Sequence, residues 1–200
     1  MRLSREFYRQ GAVELAPKLL GMCICRHIGE RTIRFRIIET EAYRGEDDTA
    51  CHAYRGKTKR TEVMYKVGGY AYIYLCYGMH NMLNIVSGEE NFPEAVLIRG
   101  GVVVANTDMS NNKGVNNEVF NHSSIETFNN LEEGKVFDGP GKLTKALVID
   151  RTLNAEDLVK SEKLWLESDG YKCKYKSSKR IGIDYAEEKD RNRLWRFTIE

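Results

Sequence analysis

Two hundred residues, 42% hydrophobic and 30% charged, fit one domain large enough to bury its own core. No run approaches the ~20 apolar residues of a membrane span, and the leading MRLSREFYRQ lacks the apolar core of a signal peptide. A net charge of +2 does not by itself announce nucleic acid, and five cysteines without a C-x-x-C pair read as reduced thiols of a cytoplasmic protein.

In chain order, residues 11–21 read as a short helix, with Gly21 as its C-cap and Pro17 starting it late or kinking it. MCICRH and TIRFRIIETEAY follow as two strands around Gly29-Glu30, a hairpin whose turn type the sequence leaves open. In the second strand Ile33, Phe35 and Ile37 share one face and Arg34 and Arg36 the other. Continuing that parity puts Glu39 and Glu41 on the apolar side, where an ionised carboxylate is costly unless partnered or employed. The alternative is a bulge or fraying near Thr40, with both glutamates in solvent.

The loop RGEDDTACH carries the triplet Glu46-Asp47-Asp48. Without a second carboxylate cluster it is not a metal site, and capping of the next helical turn is the expected role. A basic segment with Lys57, Lys59, Arg60 and Lys66 comes next. In GGYAYIYLCYGMHNMLNIV, Tyr70, Tyr72 and Tyr74 alternate on one strand face, Tyr77-Gly78-Met79 forms a turn, and a strand returns through Asn84. Residues 95–99 make an apolar strand ending in the cation Arg99.

The asparagine-rich stretch over about 105–131 reads as a flexible, weakly helical loop. Gly139-Pro140-Gly141-Lys142 is not a P-loop, because Val136 stands where the first glycine belongs and Leu143 replaces the Ser/Thr. It reads as a tight turn opening a helix over 142–147, with Lys142 available to a phosphate. A helix over 155–160 and a strand over 163–167 are expected next. The tract YKCKYKSSKR interleaves five cations with two tyrosines, a composition suited to phosphates, although such a charge run is more often just a solvated face. Trp195 in the closing segment reads as core.

Three blocks in register, E-x-E-A-Y followed by His52, Y-G-M followed by Asn84, and G-P-G-K-L, resemble the alkyladenine (3-methyladenine) DNA glycosylase family. The resemblance runs from the first helix to the chain's end. It implies an α+β single domain over 1–200, with a curved, mainly antiparallel β-sheet, flanking helices and a protruding hairpin. It also implies a monofunctional base-excision enzyme, monomeric, without cofactor or metal, acting on damaged purines in double-stranded DNA. One departure stands out. The family usually has an A-L-E-P-like element after the arginine matching Arg99, and this chain has Gly100-Gly101-Val102-Val103.

The chemistry explains these residue types. The anomeric carbon lies inside the duplex, so the nucleotide must be flipped out at a cost of a few kcal/mol. Tyr77, with Met79 beside it, suits a wedge filling the gap from the minor groove. Arg60 and Lys142 are expected on the DNA. Tyr43 and Tyr74 can stack on the flipped base while His52 closes an edge. An aromatic slot favours a cationic alkylpurine by roughly 0.5–2 kcal/mol. Glu41 is the expected base for the attacking water and the anion facing the growing sugar cation. By resemblance, Arg99 and the backbone carbonyl of Ile181 also hold that water, and Asn84 rejects guanine by crowding its exocyclic amine. Two competing readings are a non-catalytic single-stranded nucleic-acid-binding module, which leaves Glu41 unexplained, and a nucleoside hydrolase, which needs no Tyr77 wedge.

Overall fold

The structure, a computed structural model, describes residues 1–108 and 122–200. Residues 109–121 of the stretch read as a flexible asparagine-rich loop therefore lie outside the described residues. Its two ends do not and are not loop: a strand continues to Asp108, and a helix spans His122–Asn129.

After a single turn of helix, α1 (Arg5–Tyr8), helix α2 (Ala12–Leu19) buries Ala12, Leu15, Ala16 and Leu19, the three-to-four spacing of one helical face. Pro17 lies in its last turn, and Gly21, with φ of 82°, turns the chain into the sheet. Strands β1 (Cys23–Ile28) and β2 (Arg31–Arg44) form the expected hairpin. Of its two loop residues only Gly29 has a positive φ, 60°, which is the type II′ pattern. Then come β3 (Ala71–Cys76), β4 (His80–Val86), the long β5 (Glu94–Asp108), helix α3 (His122–Asn129), β6 (Val136–Asp138) and helix α4 (Pro140–Ala146). Strands β7 (Leu164–Glu167) and β8 (Tyr175–Ser178), the short helix α5 (Glu188–Arg191) and β9 (Arg196–Ile199) complete the chain.

The result is an α+β fold on one nine-stranded sheet, ordered β3-β4-β5-β2-β1-β7, with β6 beside β5 and β8–β9 beside β2. Every pairing of these strands is antiparallel. The main core lies between one sheet face and helices α2, α3 and α4, with Leu15, Leu19, Phe35, Phe128 and Leu143 fully buried. Each such side chain contributes about 1.5–3 kcal/mol of burial.

Where β2 meets β5, the register runs Ile37 opposite Gly101, Glu39 opposite Gly100 and Thr40 opposite Ile98. Ile38 and Arg99 are thus extra residues, one bulge on each strand. Before the bulge Ile33, Phe35 and Ile37 enter the main core; after it the core residues are Ala42, Val96 and Ile98. The buried Thr40 bonds the Ala16 carbonyl on that same side, at 2.9 Å. Parity has therefore inverted. This corrects the expectation that Glu39 and Glu41 share the face of Ile33, and also the alternative that a bulge frees them to solvent. Glu41 and Tyr43 face the opposite side of the sheet, and Glu41 is fully buried there.

Three other expectations are overturned. The segment 155–160 is not a helix: Ala155 sits at φ of 68°, outside the helical region, and only a 3-10 turn at Arg151–Leu153 precedes it. The acidic triplet caps no helix. Glu46 accepts from the Tyr65 hydroxyl, and Asp48 is a fully buried ion-pair partner. Arg180, read as part of a surface tract, is that partner. The G-P-G-K turn opens α4 as anticipated, with Pro140 in its first turn. A Cβ on Gly141 would stand 3.0 Å from the His80 imidazole, so this glycine lets α4 press against β4 just below the tip of the β3–β4 hairpin. The Thr144 hydroxyl reinforces that contact by donating to the Asn81 carbonyl at 2.8 Å.

Candidate active site

The inverted parity and the strand register together set residues from four strands side by side. Tyr72 lies opposite Asn84, Asn84 opposite Leu97, and Leu97 opposite Glu41. One position along, Tyr74 faces Met82, and Tyr43 faces Ala95. On this face a recess of about 610 Å³ opens, walled by Tyr43, Tyr72, Tyr74, His52, Asn84 and Arg99 and closed by the segment carrying Ile181 and Ile183.

Glu41 lies beneath this floor. Its Oε2 accepts from the Tyr43 hydroxyl at 2.9 Å and from Arg99 Nη1 at 3.3 Å, and its Oε1 accepts from the Ile181 amide at 2.8 Å. All three partners line the recess, whereas Glu41 itself has no exposed surface. Burial pushes its carboxyl above the ordinary range, against the opposing pull of Arg99, the Ile181 amide and Tyr43. Burial and the neighbouring carboxylate raise Tyr43 strongly, so its hydroxyl keeps its proton and donates. Arg99 is held from behind: its Nε donates to Glu39 Oε1 at 2.9 Å, an oxygen that Arg196 also meets at 2.6 Å. The first acid of E-x-E thus orients the arginine that contacts the second. Ile181 presents its amide to Glu41, a contact separate from the carbonyl expected by resemblance to hold the attacking water.

The aromatic wall is tightly arranged. His52 stands edge-on to Tyr74 with centroids 4.4 Å apart, and Tyr72 tilts against Tyr74 at 5.6 Å. His52 Nε2 lies 3.4 Å from Arg60, which can only donate, so Nδ1 carries the proton toward the Tyr72 hydroxyl at 3.1 Å. Burial and Arg60 push the imidazole down to about 4, leaving it neutral at pH 7. Asn84 donates to the carbonyls of Tyr72 and Met82 at 3.2 and 3.3 Å, which fixes its carboxamide against the recess wall.

At the rim, the hairpin tip carries Tyr77 at φ of 50° and Gly78 at 70°, the paired positive angles of a type I′ turn. Tyr77 is 86% exposed and Met79 72%, an unusual display of apolar surface. Arg60 is exposed beside the wall, its guanidinium 5.2 Å from the Tyr74 ring centre. Lys142 is exposed and paired with Asp138 at 2.7 Å. Pro140, the first residue of α4, also lines the recess.

The structure thus gathers Glu41, Arg99, Ile181, Tyr43, His52, Tyr74 and Asn84 around one recess, with Tyr77 and Arg60 also on its lining. Met79 and Lys142 lie outside that lining. Sequence reasoning missed Tyr72, although it sits two residues from Tyr74 on the same strand face, and it missed Tyr185, Leu97 and Ile183. It also missed the Asp48–Arg180 pair, for which 132 residues of separation left no local signal.

Residues 6–200 match the model of the methylpurine-DNA glycosylase family. The chain is 43% identical over 202 residues to a protein of Borrelia garinii subsp. bavariensis, covering 99% of this chain and 96% of that protein. It is 39% identical to one of Natranaerobius thermophilus, covering 100% and 96% of the two chains. With one of Clostridium perfringens it shares 41% identity, again covering 100% and 96%. All three relatives are provisionally named 3-methyladenine DNA glycosylase. On both the family match and the full-length relatives, this chain belongs to the methylpurine-DNA glycosylase family.

Proposed function

We propose that the protein is a monofunctional glycosylase that hydrolyses the N-glycosidic bond of alkylated purines swung out of duplex DNA, with Glu41 activating the attacking water. The observation that carries this reading is the placement of one buried carboxylate directly beneath an aromatic recess whose rim bears an exposed tyrosine. The family match and the names of the relatives supply the class of reaction.

The residues divide the work as follows. Tyr77, with Met79 beside it, enters the duplex and fills the gap left by the extruded nucleotide, offsetting an unstacking cost of a few kcal/mol. Arg60 and Lys142 meet phosphates, Lys142 by exchanging its partner Asp138. Tyr43 and Tyr74 stack on the base and His52 closes its edge. A neutral His52 suits a cationic base, which an imidazolium would repel. A positively charged alkylpurine leaves as a neutral molecule, so little acid help is needed at the base. Rigid Asn84 crowds the exocyclic amine of guanine.

At the sugar, a water admitted beside Ile181 bonds Glu41 Oε1, which has accepted only one donor. Glu41 takes a proton from it as the oxygen bonds the anomeric carbon and the bond to the base breaks. Arg99 keeps the carboxylate ionised against its burial and orients it. The carbonyl of Ile181 is the further acceptor for that water. Five free cysteines fit a reducing cytoplasm.

The test is chromatographic. Methylated duplex DNA incubated with the protein should release free 3-methyladenine and leave the strand intact. Duplex binding should weaken with log salt at a slope near −0.9 per phosphate contacted. Absence of free base, or equal turnover of a free methylated nucleoside, would refute the assignment.

A further inference from the structure

Behind Tyr43 lies a charged group that neither the recess nor the hydrolysis accounts for. Arg180 has no exposed side-chain surface, and its guanidinium carbon sits 4.8 Å from the centre of the Tyr43 ring. It lines no part of the recess, so the surface Tyr43 offers a base is not the one Arg180 covers. Asp48, equally buried, grips it bidentately, Nη1 to Oδ2 at 2.6 Å and Nη2 to Oδ1 at 2.7 Å. Arg180 also donates to the Ala42 carbonyl at 2.9 Å and the Asp190 carbonyl at 3.3 Å. Trp195 adjoins it at 5.1 Å, with Arg193 4.3 Å from that same ring centre.

A cation against one side of a tyrosine works against the cation that side's opposite is to receive. Stacking of an alkylpurine on Tyr43 would place its charge roughly 3.5 Å beyond the ring, on the order of 8 Å from the guanidinium. At an effective dielectric near 20, an unneutralised charge at about that distance shifts the affinity for a cation by on the order of tenfold. A neutral base of the same shape feels almost none of this. The carboxylate of Asp48 lies within hydrogen-bond reach of the guanidinium and cancels most of its field at the ring.

We propose that Asp48 is a specificity-determining residue, and Arg180 a positioning residue, that together form a charge-neutral support behind Tyr43 and thereby let the slot favour cationic over neutral bases. The pair rests on the function proposed above and deepens it. Arg180 is there for geometry: it ties β2 at Ala42 and the loop at Asp48 to the segment whose next residue, Ile181, donates to Glu41. Asp48 is there so that this geometry carries no net charge. Buried pairs often contribute little to stability, which leaves such a role in recognition as the reason to keep one.

The experiment compares excision of a cationic base, 3-methyladenine, with binding of its neutral isostere, 3-methyl-3-deazaadenine, in the same duplex. Asp48→Asn leaves the cation unbalanced and should lower the cationic-to-neutral ratio on the order of tenfold. Arg180→Gln leaves the anion unbalanced and should move the ratio the other way. The double variant, Asp48→Asn with Arg180→Gln, should return the ratio to within about threefold of wild type even if total activity falls. Because the two single changes act with opposite sign, whichever of them folds decides the matter, with affinity for duplex containing an abasic site as the check on fold. A ratio that stays put in either variant, or moves the same way in both, would overturn the proposal. Failure of the functional reading looks different: wild type would release no base at all.

Discussion

Replacing Glu41 by glutamine separates the carboxylate's chemistry from its structural role. The general-base contribution at stake is typically 10²–10⁴ in rate, about 3–5.5 kcal/mol of barrier. Lesion binding should persist, since Tyr43, Tyr74 and Asn84 are untouched. The structural cost follows from the bonding pattern. Oε2 accepts two donors, Tyr43 and Arg99, and Oε1 accepts one, Ile181. The amide oxygen of glutamine takes the busier side, so its NH₂ confronts the Ile181 N–H, an unmade bond worth about 1–3 kcal/mol.

Opposing that cost is the removal of a buried charge, and here the sign is set by pH. The folded carboxyl is raised above the ordinary value of 4.5. Below 4.5 both states are protonated and the group is silent. As pH rises past that value the unfolded chain loses its proton first, and wild-type stability falls until the folded group ionises as well. Glu41→Gln lacks this loss, so its melting temperature should gain on wild type between pH 4 and pH 8. Single-turnover release of methylpurine, with melting curves at both pH values, checks the two halves. Turnover within about threefold of wild type would remove Glu41 from the mechanism, whatever the melting curves show.

Tyr77→Ala should leave stability within about 0.5 kcal/mol, because the ring is 86% exposed, yet weaken lesion-duplex binding on the order of tenfold. An unaltered dissociation constant there counts against the wedge. Asn84→Ser opens space at the recess wall and should raise release of guanine-type bases on the order of tenfold, read from the ratio of adenine- to guanine-type products. Selectivity equal to wild type would end its steric role. His52, held near 4 against an ordinary 6.5, binds a proton more readily unfolded, so it lowers stability as pH falls from about 6.5 toward 4. His52→Gln should flatten that part of the stability profile, and wild-type excision should show no inflection from this group between pH 6 and 8. Melting curves and a pH–rate profile check both statements.

Most of the site was legible because its residues advertise themselves locally. Tyr72 and Tyr74 alternate on a strand, the Tyr77-Gly78 turn needs a residue tolerating positive φ, and Glu41 sits two residues from an aromatic. What failed was the assumption of unbroken alternation through Ile37, Glu39 and Glu41. Ile38 looks like its neighbour Ile37, and the change from Ile98 to Arg99 reads as the end of an apolar strand, because the signal of a bulge lies in pairing between strands 60 residues apart. Arg180 was misjudged for the related reason that its cation is answered only by a distant Asp48. The 155–160 helix failed at a single alanine in a left-handed conformation, which composition does not reveal.

The two matched bulges leave catalytic groups and hydrophobic packing on the same pair of strands, shifted by half a pleat. Were Ile38 to take a regular place in the alternation, Glu41 and Tyr43 would enter the oily side and Thr40 and Ala42 would leave it. A regular place for Arg99 would likewise turn Val96 and Ile98 away from the core. The two bulges are thus a condition of both folding and chemistry, because either strand paired without the slack its extra residue provides turns its packing side to the recess and its recess side to the core.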